Sequence, residues 1–403
     1  PEVLGSIFKN SEVLDYGLLN ENILKVFSSL PGILISVIFA SLFLGKKIPP
    51  LKSIFKIAGP QVSYGQTAAW GQYVFGILIT MLILTPIFGI SPMAGALIEI
   101  AFEGGHGTSA GLASTFEELG FSEGRDLAMG LATVGVFSGI IFGVILINWG
   151  VRKNKLNYVG KDKESIEEKD LRGVIDLENK ESVKSKKNLS IEPLSLHIGI
   201  IGISILLGYL ILQGLIKVED LLWGEHITII RYIPLFPLAM IGGLIVQLIF
   251  SKFDKINFLS RESIKKIQGL ALDFLIVSAI ASLSLSIIGD NIVVFLILAL
   301  TGITWNILAF LLFAPRMIPE DYFERGIGDF GQSMGMTAIG IMLIKISDPR
   351  NKTRALEAFG YKQLLFEPFV GGGIMTAVSV PFIFQFGPLP VFLFSLVVMI
   401  FWI

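Results

Sequence analysis

The chain contains no cysteine, which excludes disulfide frameworks, thiolate zinc sites and thiol nucleophiles. Its three histidines, His106, His197 and His226, are too far apart in sequence for a helical HExxH metal site. Charge is scarce too. Asp, Glu, Lys and Arg make up 16 % of the chain, where a soluble domain carries roughly 25 %. A net charge of −1 and the lack of a basic stripe interleaved with aromatics leave no nucleic-acid partner. The chain opens at Pro1 with no basic-then-apolar signal peptide. The expectation is a chain that lacks its first membrane segment.

Apolar residues, by contrast, account for 53 % of 403 positions, and there are 43 glycines. So few polar residues cannot cover a soluble body of this size, and those present are bunched. Residues 151–190 hold eleven basic and eight acidic side chains, which makes the remainder more apolar still. The natural solvent for that remainder is a lipid bilayer, and the chain reads as an all-α polytopic membrane protein.

A bilayer core of about 30 Å takes roughly 20 apolar residues in a helix. Stretches free of Asp, Glu, Lys and Arg run over 57–98, 127–151, 193–216, 232–251 and 291–315. Two more, 267–289 and 363–403, carry one acid each, Asp273 and Glu367, and 31–45 is a shorter span. The 57–98 stretch is too long for one helix; Pro86 and Ser91-Pro92 predict a helix over about 60–86 followed by a turn.

Lysine and arginine collect in cytoplasmic loops. Loops 46–56, 151–190, 251–266 and 345–358 are basic, so all four are expected inside. Counting crossings between them leaves two apolar segments with no crossing to make. Segment 93–116 is expected to dip in from outside and return, and 327–346 to dip in from the cytoplasm. Two re-entrant segments of opposite sense, one per half, make an inverted repeat, a transporter architecture. The resulting organisation is an N-terminal membrane repeat over 1–150, a charged cytoplasmic linker over 151–192, a C-terminal membrane repeat over 193–388, and a short apolar segment over 389–403.

Both dips are glycine-rich and polar. The first reads Glu103-Gly104-Gly105-His106-Gly107-Thr108-Ser109, the second Asp329-Phe330-Gly331-Gln332-Ser333-Met334-Gly335-Met336-Thr337. A helix that stops inside the membrane leaves backbone groups unpaired, which is tolerable only around a cavity or inside protein. Those groups can bind ions and substrates. Gly104, Gly105, His106, Gly107, Thr108, Ser109, Gly331, Gln332, Ser333, Gly335 and Thr337 are therefore the candidate substrate-binding residues, for a small anion. Glu103, Asp329 and Thr337 are candidate sodium ligands. Glu99, Gln72, Asn306, Asp273 and Glu367 are further polar residues at membrane depth, where ionisable groups are costly. Tight helix packing by small residues is the plain alternative for the glycines. Asp15, His106 and Ser333 imitate the order of a subtilisin-like triad; that triad needs a parallel sheet, for which these apolar segments offer no strands.

Gly104-Gly105-His106-Gly107-Thr108, with Glu117-Glu118-Leu119-Gly120-Phe121, Ala128-Met129 and Ala132-Thr133, resembles the glutamate:sodium symporter family of bacterial secondary transporters. The likeness runs thinly from Pro1 to about Pro390. It implies two inverted repeats of about five transmembrane helices, a re-entrant hairpin in each, and sodium-coupled glutamate uptake. It also implies a homodimer in the inner (plasma) membrane of a bacterial-type cell. Sodium would be the coupling ion, with no other cofactor and no enzymatic step. The second cluster lacks the proline and asparagine of the family pattern, and Glu103 stands where a small or hydroxyl residue is expected. The chain is thus expected to be a symporter of glutamate or a similar small carboxylate working by alternating access. Proton-coupled symport of another organic anion through Glu103 or His106 remains open, as does a channel. A membrane enzyme would have to use Ser109 or Ser333 with His106.

Overall fold

The computed structural model describes residues 21–46, 48, 50–156, 193–253 and 259–403. Asp15 and most of the 151–192 linker lie outside them. Among the described residues every regular element is helical and there is no strand. Five helices among the described residues are long and apolar enough to cross a membrane, Ile54–Phe88, Gly124–Arg152, Leu194–Leu222, Leu235–Lys252 and Ile292–Met317.

The first helix among the described residues, α1 (Glu21–Ala40), stops earlier than the apolar run to residue 45 suggests. Its open end is closed from outside: Arg261 donates to the Ser41 and Leu44 carbonyls at 3.1 and 2.9 Å. Gly45 turns the chain with φ +72°. Helix α2 (Leu51–Ile79) continues through a wide π turn at Thr80–Leu84 into Thr85–Phe88. The cause is Pro86, which has no N–H to give the carbonyl one turn back, so the ladder loosens just before it. Gly89 at φ +69° ends the run, and the Ser91 hydroxyl accepts the Met93 N–H at 3.3 Å to start the next turn.

The 93–116 segment is a chain of short pieces. A 3-10 turn, Pro92–Ala96, leads to a π turn, Glu99–Glu103, then α3 (Gly105–Gly111) and a final turn, Ala113–Glu118. Helix α4 (Gly124–Arg152) follows. After the linker come α5 (Pro193–Leu222), α6 (Leu235–Phe253) and α7 (Arg261–Ala281). The expected 267–289 span is broken at residues 282–284, before a short helix Leu285–Asp290, and Asp273 points outward from α7, exposed. Helix α8 (Ile292–Leu312) is unbroken. The 327–346 segment is two helices, α9 (Tyr322–Gln332) and α10 (Thr337–Ser347). The 363–403 stretch is likewise in pieces. Helix α11 (Ala355–Phe366) and helix α12 (Ile374–Phe386) are separated by Gly371-Gly372-Gly373, and Gly387 separates α12 from α13 (Pro388–Trp402).

Helices α1, α5, α6 and α7 pack as one group around Ala40, Leu44, Ile200, Ile201, Ala239, Val246 and Ile264. The main core runs through α2, the 92–119 segment, α4, α8 and α9. Helix α4 shows the sense of burial. Phe137, Ile141 and Ile145 on one face are exposed, while Gly135, Gly139 and Gly143 on another lie against Met334, Ile339 and Leu343. Apolar faces outward and small or polar faces inward are the inverse of a soluble helix, and they fit a lipid surround.

Candidate functional site

The two glycine-rich breaks meet. The first forms because the Glu99–Glu103 π turn closes on Gly104, whose N–H donates to the Glu99 carbonyl at 3.0 Å. Gly105 then takes φ +71°, a left-handed conformation that L side chains rarely adopt. The second break is the link Ser333–Met336 between α9 and α10. A Cβ built on Gly105 would stand 2.6 Å from the carbonyl oxygen of Gly335, so only a glycine permits this approach.

Around the junction the side chains sort by partner. The Thr108 and Ser109 hydroxyls donate back to the Gly104 and Gly105 carbonyls at 3.0 and 2.9 Å, turned into their own helix. His106 Nε2 lies 3.0 Å from Thr133 Oγ1, whose own proton goes to the Met129 carbonyl at 3.1 Å, so Oγ1 is the acceptor; His106 Nδ1 has no partner. Gly107 packs loosely on Ile35. In the second break, Gly331 lets α9 and α10 cross closely, with a Cβ there 2.9 Å from the Gly340 backbone. The Ser333 carbonyl, at the open end of α9, accepts from Gln72 Nε2 and Asn306 Nδ2, both at 2.8 Å. Thr337 Oγ1 accepts from Gln363 Nε2 at 3.0 Å.

Three acids at the junction, Glu99, Glu103 and Asp329, are buried but are held differently. Glu99 accepts from the Tyr73 hydroxyl at 2.5 Å, the Thr376 hydroxyl at 2.8 Å and the Gly371 N–H at 3.0 Å. It is not an interfacial residue reaching water but a tie between three segments. Asp329 Oδ1 lies 3.2 Å from Lys362 Nζ, and both side chains are 0 % exposed. The contact is ionic, without aligned hydrogen-bond geometry. Lys362 also donates to Gln332 Oε1 at 3.0 Å and lies 3.6 Å over the Phe366 ring. Neither oxygen of Glu103 has a hydrogen-bond partner. The triple-glycine loop closes the group: a Cβ on Gly371 would stand 3.5 Å from Glu103 Cγ.

Lys362, Gln363, Tyr73, Thr376 and the loop at 371–373 are absent from the sequence-derived set. Lys362 follows a basic stretch, Arg350, Lys352 and Arg354, and reads like part of a cytoplasmic entry. The available signal is its spacing. Phe359 and Phe366 stand three before and four after it, on the same helical face. A lysine on an aromatic face inside an apolar run is unusual enough to expect a buried partner.

A family model for the sodium/glutamate symporter matches residues 22–345. The chain belongs to the sodium/glutamate symporter family. A search of curated proteins finds no match. Members of the family are transporters, not enzymes, and the described helices agree with an integral multi-pass membrane protein. The matched segment contains both breaks. It ends before α11, so Lys362 and the triple-glycine loop lie beyond it.

Proposed function

We propose that the protein is a secondary active transporter that couples inward movement of sodium to uptake of glutamate or a similar small carboxylate. Family membership supports the pair of solutes. The observation that carries the reading to a site is the meeting of Gly105 and Gly335 inside an all-helical body. Broken helices with polar tips are how membrane transporters present ion and substrate sites near the midplane. The tips at 103–109 and 329–337 are the binding segments, each a re-entrant hairpin in one half of an inverted repeat. The amide groups of Gln72 and Asn306 and the charge of Lys362 supply donors to the junction, and Glu103 and Asp329 supply its negative charge.

The mechanism proposed for this arrangement is alternating access. The breaks approach each other closely at Gly105 and Gly335, and parting them there is the conformational step of the cycle. Cation binding at the junction would draw the tips together and offset the charge of an incoming carboxylate, which couples the two solutes through one electrostatic site. Counterflow tests the reading. Liposomes containing the protein and unlabelled glutamate, with sodium on both sides, should transiently concentrate external labelled glutamate. Simple equilibration would mark a channel, and label entering no faster than into protein-free liposomes would rule out a glutamate carrier.

A further inference from the structure

The three acids at the junction are not equivalent. Glu99 has three donors. Asp329 has the Lys362 ammonium. Glu103, 4 % exposed, has neither. The field of Lys362 reaches Glu103, but the ammonium itself sits against Asp329. A buried carboxylate whose oxygens complete no hydrogen bond is strongly unfavourable unless a cation or a proton joins it.

A second group points to the same place. The Ser333 hydroxyl is a polar neighbour of the Glu103 carboxyl, and the two form no hydrogen bond with each other. Ser333 is 1 % exposed, and its hydroxyl is also without a partner. Gln72 reaches the same corner, since its Nε2 donates to the Ser333 carbonyl, and its Oε1 is a further buried oxygen with no donor. The other candidates are engaged elsewhere: Asp329 by Lys362, and the Thr337 hydroxyl by Gln363. Carboxylate, hydroxyl and amide oxygens form a hard donor set suited to an alkali cation.

We infer that the Glu103 carboxylate and the Ser333 hydroxyl seat one monovalent cation, and that Asp329 is not a ligand but the fixed counter-ion of Lys362. The cation is sodium under the symport reading, on which this inference rests. Such a seat joins the first break to the second, because Glu103 closes the one and Ser333 opens the other. The Lys362–Asp329 pair is a built-in neutral unit that limits the corner to a single cation.

The test is sodium-dependent thermal stability and radioactive-sodium binding of the purified full chain in detergent, with choline replacing sodium at constant ionic strength. Sodium should raise the melting temperature of the wild type. In Glu103→Gln the rise should vanish, while the sodium-free melting temperature should be no lower than that of the wild type, because a buried charge has been removed. Ser333→Ala should weaken sodium binding by about tenfold. The double variant Asp329→Asn/Lys362→Met removes the ion pair without leaving a charge, and it should still bind sodium. Sodium stabilising Glu103→Gln as much as wild type, or binding lost in the double variant, overturns the assignment. Sodium-driven glutamate uptake by the same preparations separates this inference from the reading it rests on. Equal sodium-driven uptake by wild type and Glu103→Gln overturns the seat and leaves the symport. Sodium stabilisation through Glu103 with no sodium-driven uptake in wild type overturns the symport and leaves the seat.

Discussion

Gly105 and Gly335 touch backbone to backbone, with room for no side chain between a Gly105 Cβ position and the Gly335 carbonyl oxygen 2.6 Å away. The two residues are 230 positions apart, and the structure puts both at helix breaks. Replacing Gly105 by valine adds the steric conflict to a left-handed strain of about 1–2 kcal/mol. Uptake by Gly105→Val should fall by about 100-fold, or roughly 2.7 kcal/mol in barrier, with membrane insertion unchanged. Gly120→Ala is the control: its φ is +73° but nothing lies within 4 Å, so it carries the strain alone and should still transport. Equal uptake by Gly105→Val and wild type would make the junction a packing contact only.

Lys362 and Asp329 form a buried pair, and removing one partner strands the other. Lys362→Met alone should destabilise the protein by about 3–5 kcal/mol, and Asp329→Asn/Lys362→Met should recover most of that loss. Thermal unfolding of the two singles and the double closes the cycle. Additive losses would contradict a direct pairing.

Glu99 ties Tyr73, Thr376 and the 371–373 loop together. Tyr73→Phe removes one charge-assisted donor and should cost about 1.5–3 kcal/mol of stability. The measurement is the melting temperature in detergent, and an unshifted value would mean that the hydroxyl contributes nothing to the carboxylate's stability.

The long helices are legible in the sequence because lipid demands unbroken apolar length, and Gly124–Arg152 and Ile292–Leu312 fall within three residues of their charge-free runs. Breaks are legible where glycine and polar residues cluster, as at 104–109 and 331–337. The partition of the 363–403 stretch is less so. It carries one acid and reads as a single span, yet Gly371 and Gly372 at φ +71° and +97° turn the chain, because Glu99 and Thr376 take their N–H groups. Those partners are remote or follow the break, so local pattern does not announce them. The same holds for Lys362, whose meaning depends on Asp329 in another helix. Thr108 and Ser109 illustrate the reverse. Their hydroxyl chemistry suggests ligand contact, but a helical hydroxyl can satisfy itself on the carbonyl four residues back, and both do.

The membrane orientation rests on loop charge, and the absence of cysteine makes it testable. Ser122 and Glu357 are exposed in the structure. Ser122→Cys should react with an impermeant maleimide added outside intact cells, and Glu357→Cys only after permeabilisation. Labelling of both from the same side would contradict the dip from outside at 93–116.

The central claim is that sodium drives accumulation of a carboxylate through this junction. Its most direct test is labelled glutamate uptake into proteoliposomes with and without an inward sodium gradient, in buffer of equal pH on both sides. The account predicts glutamate concentrated above its external level only while the sodium gradient lasts, with no accumulation when choline replaces sodium. Accumulation that follows an imposed pH gradient and ignores sodium would contradict it.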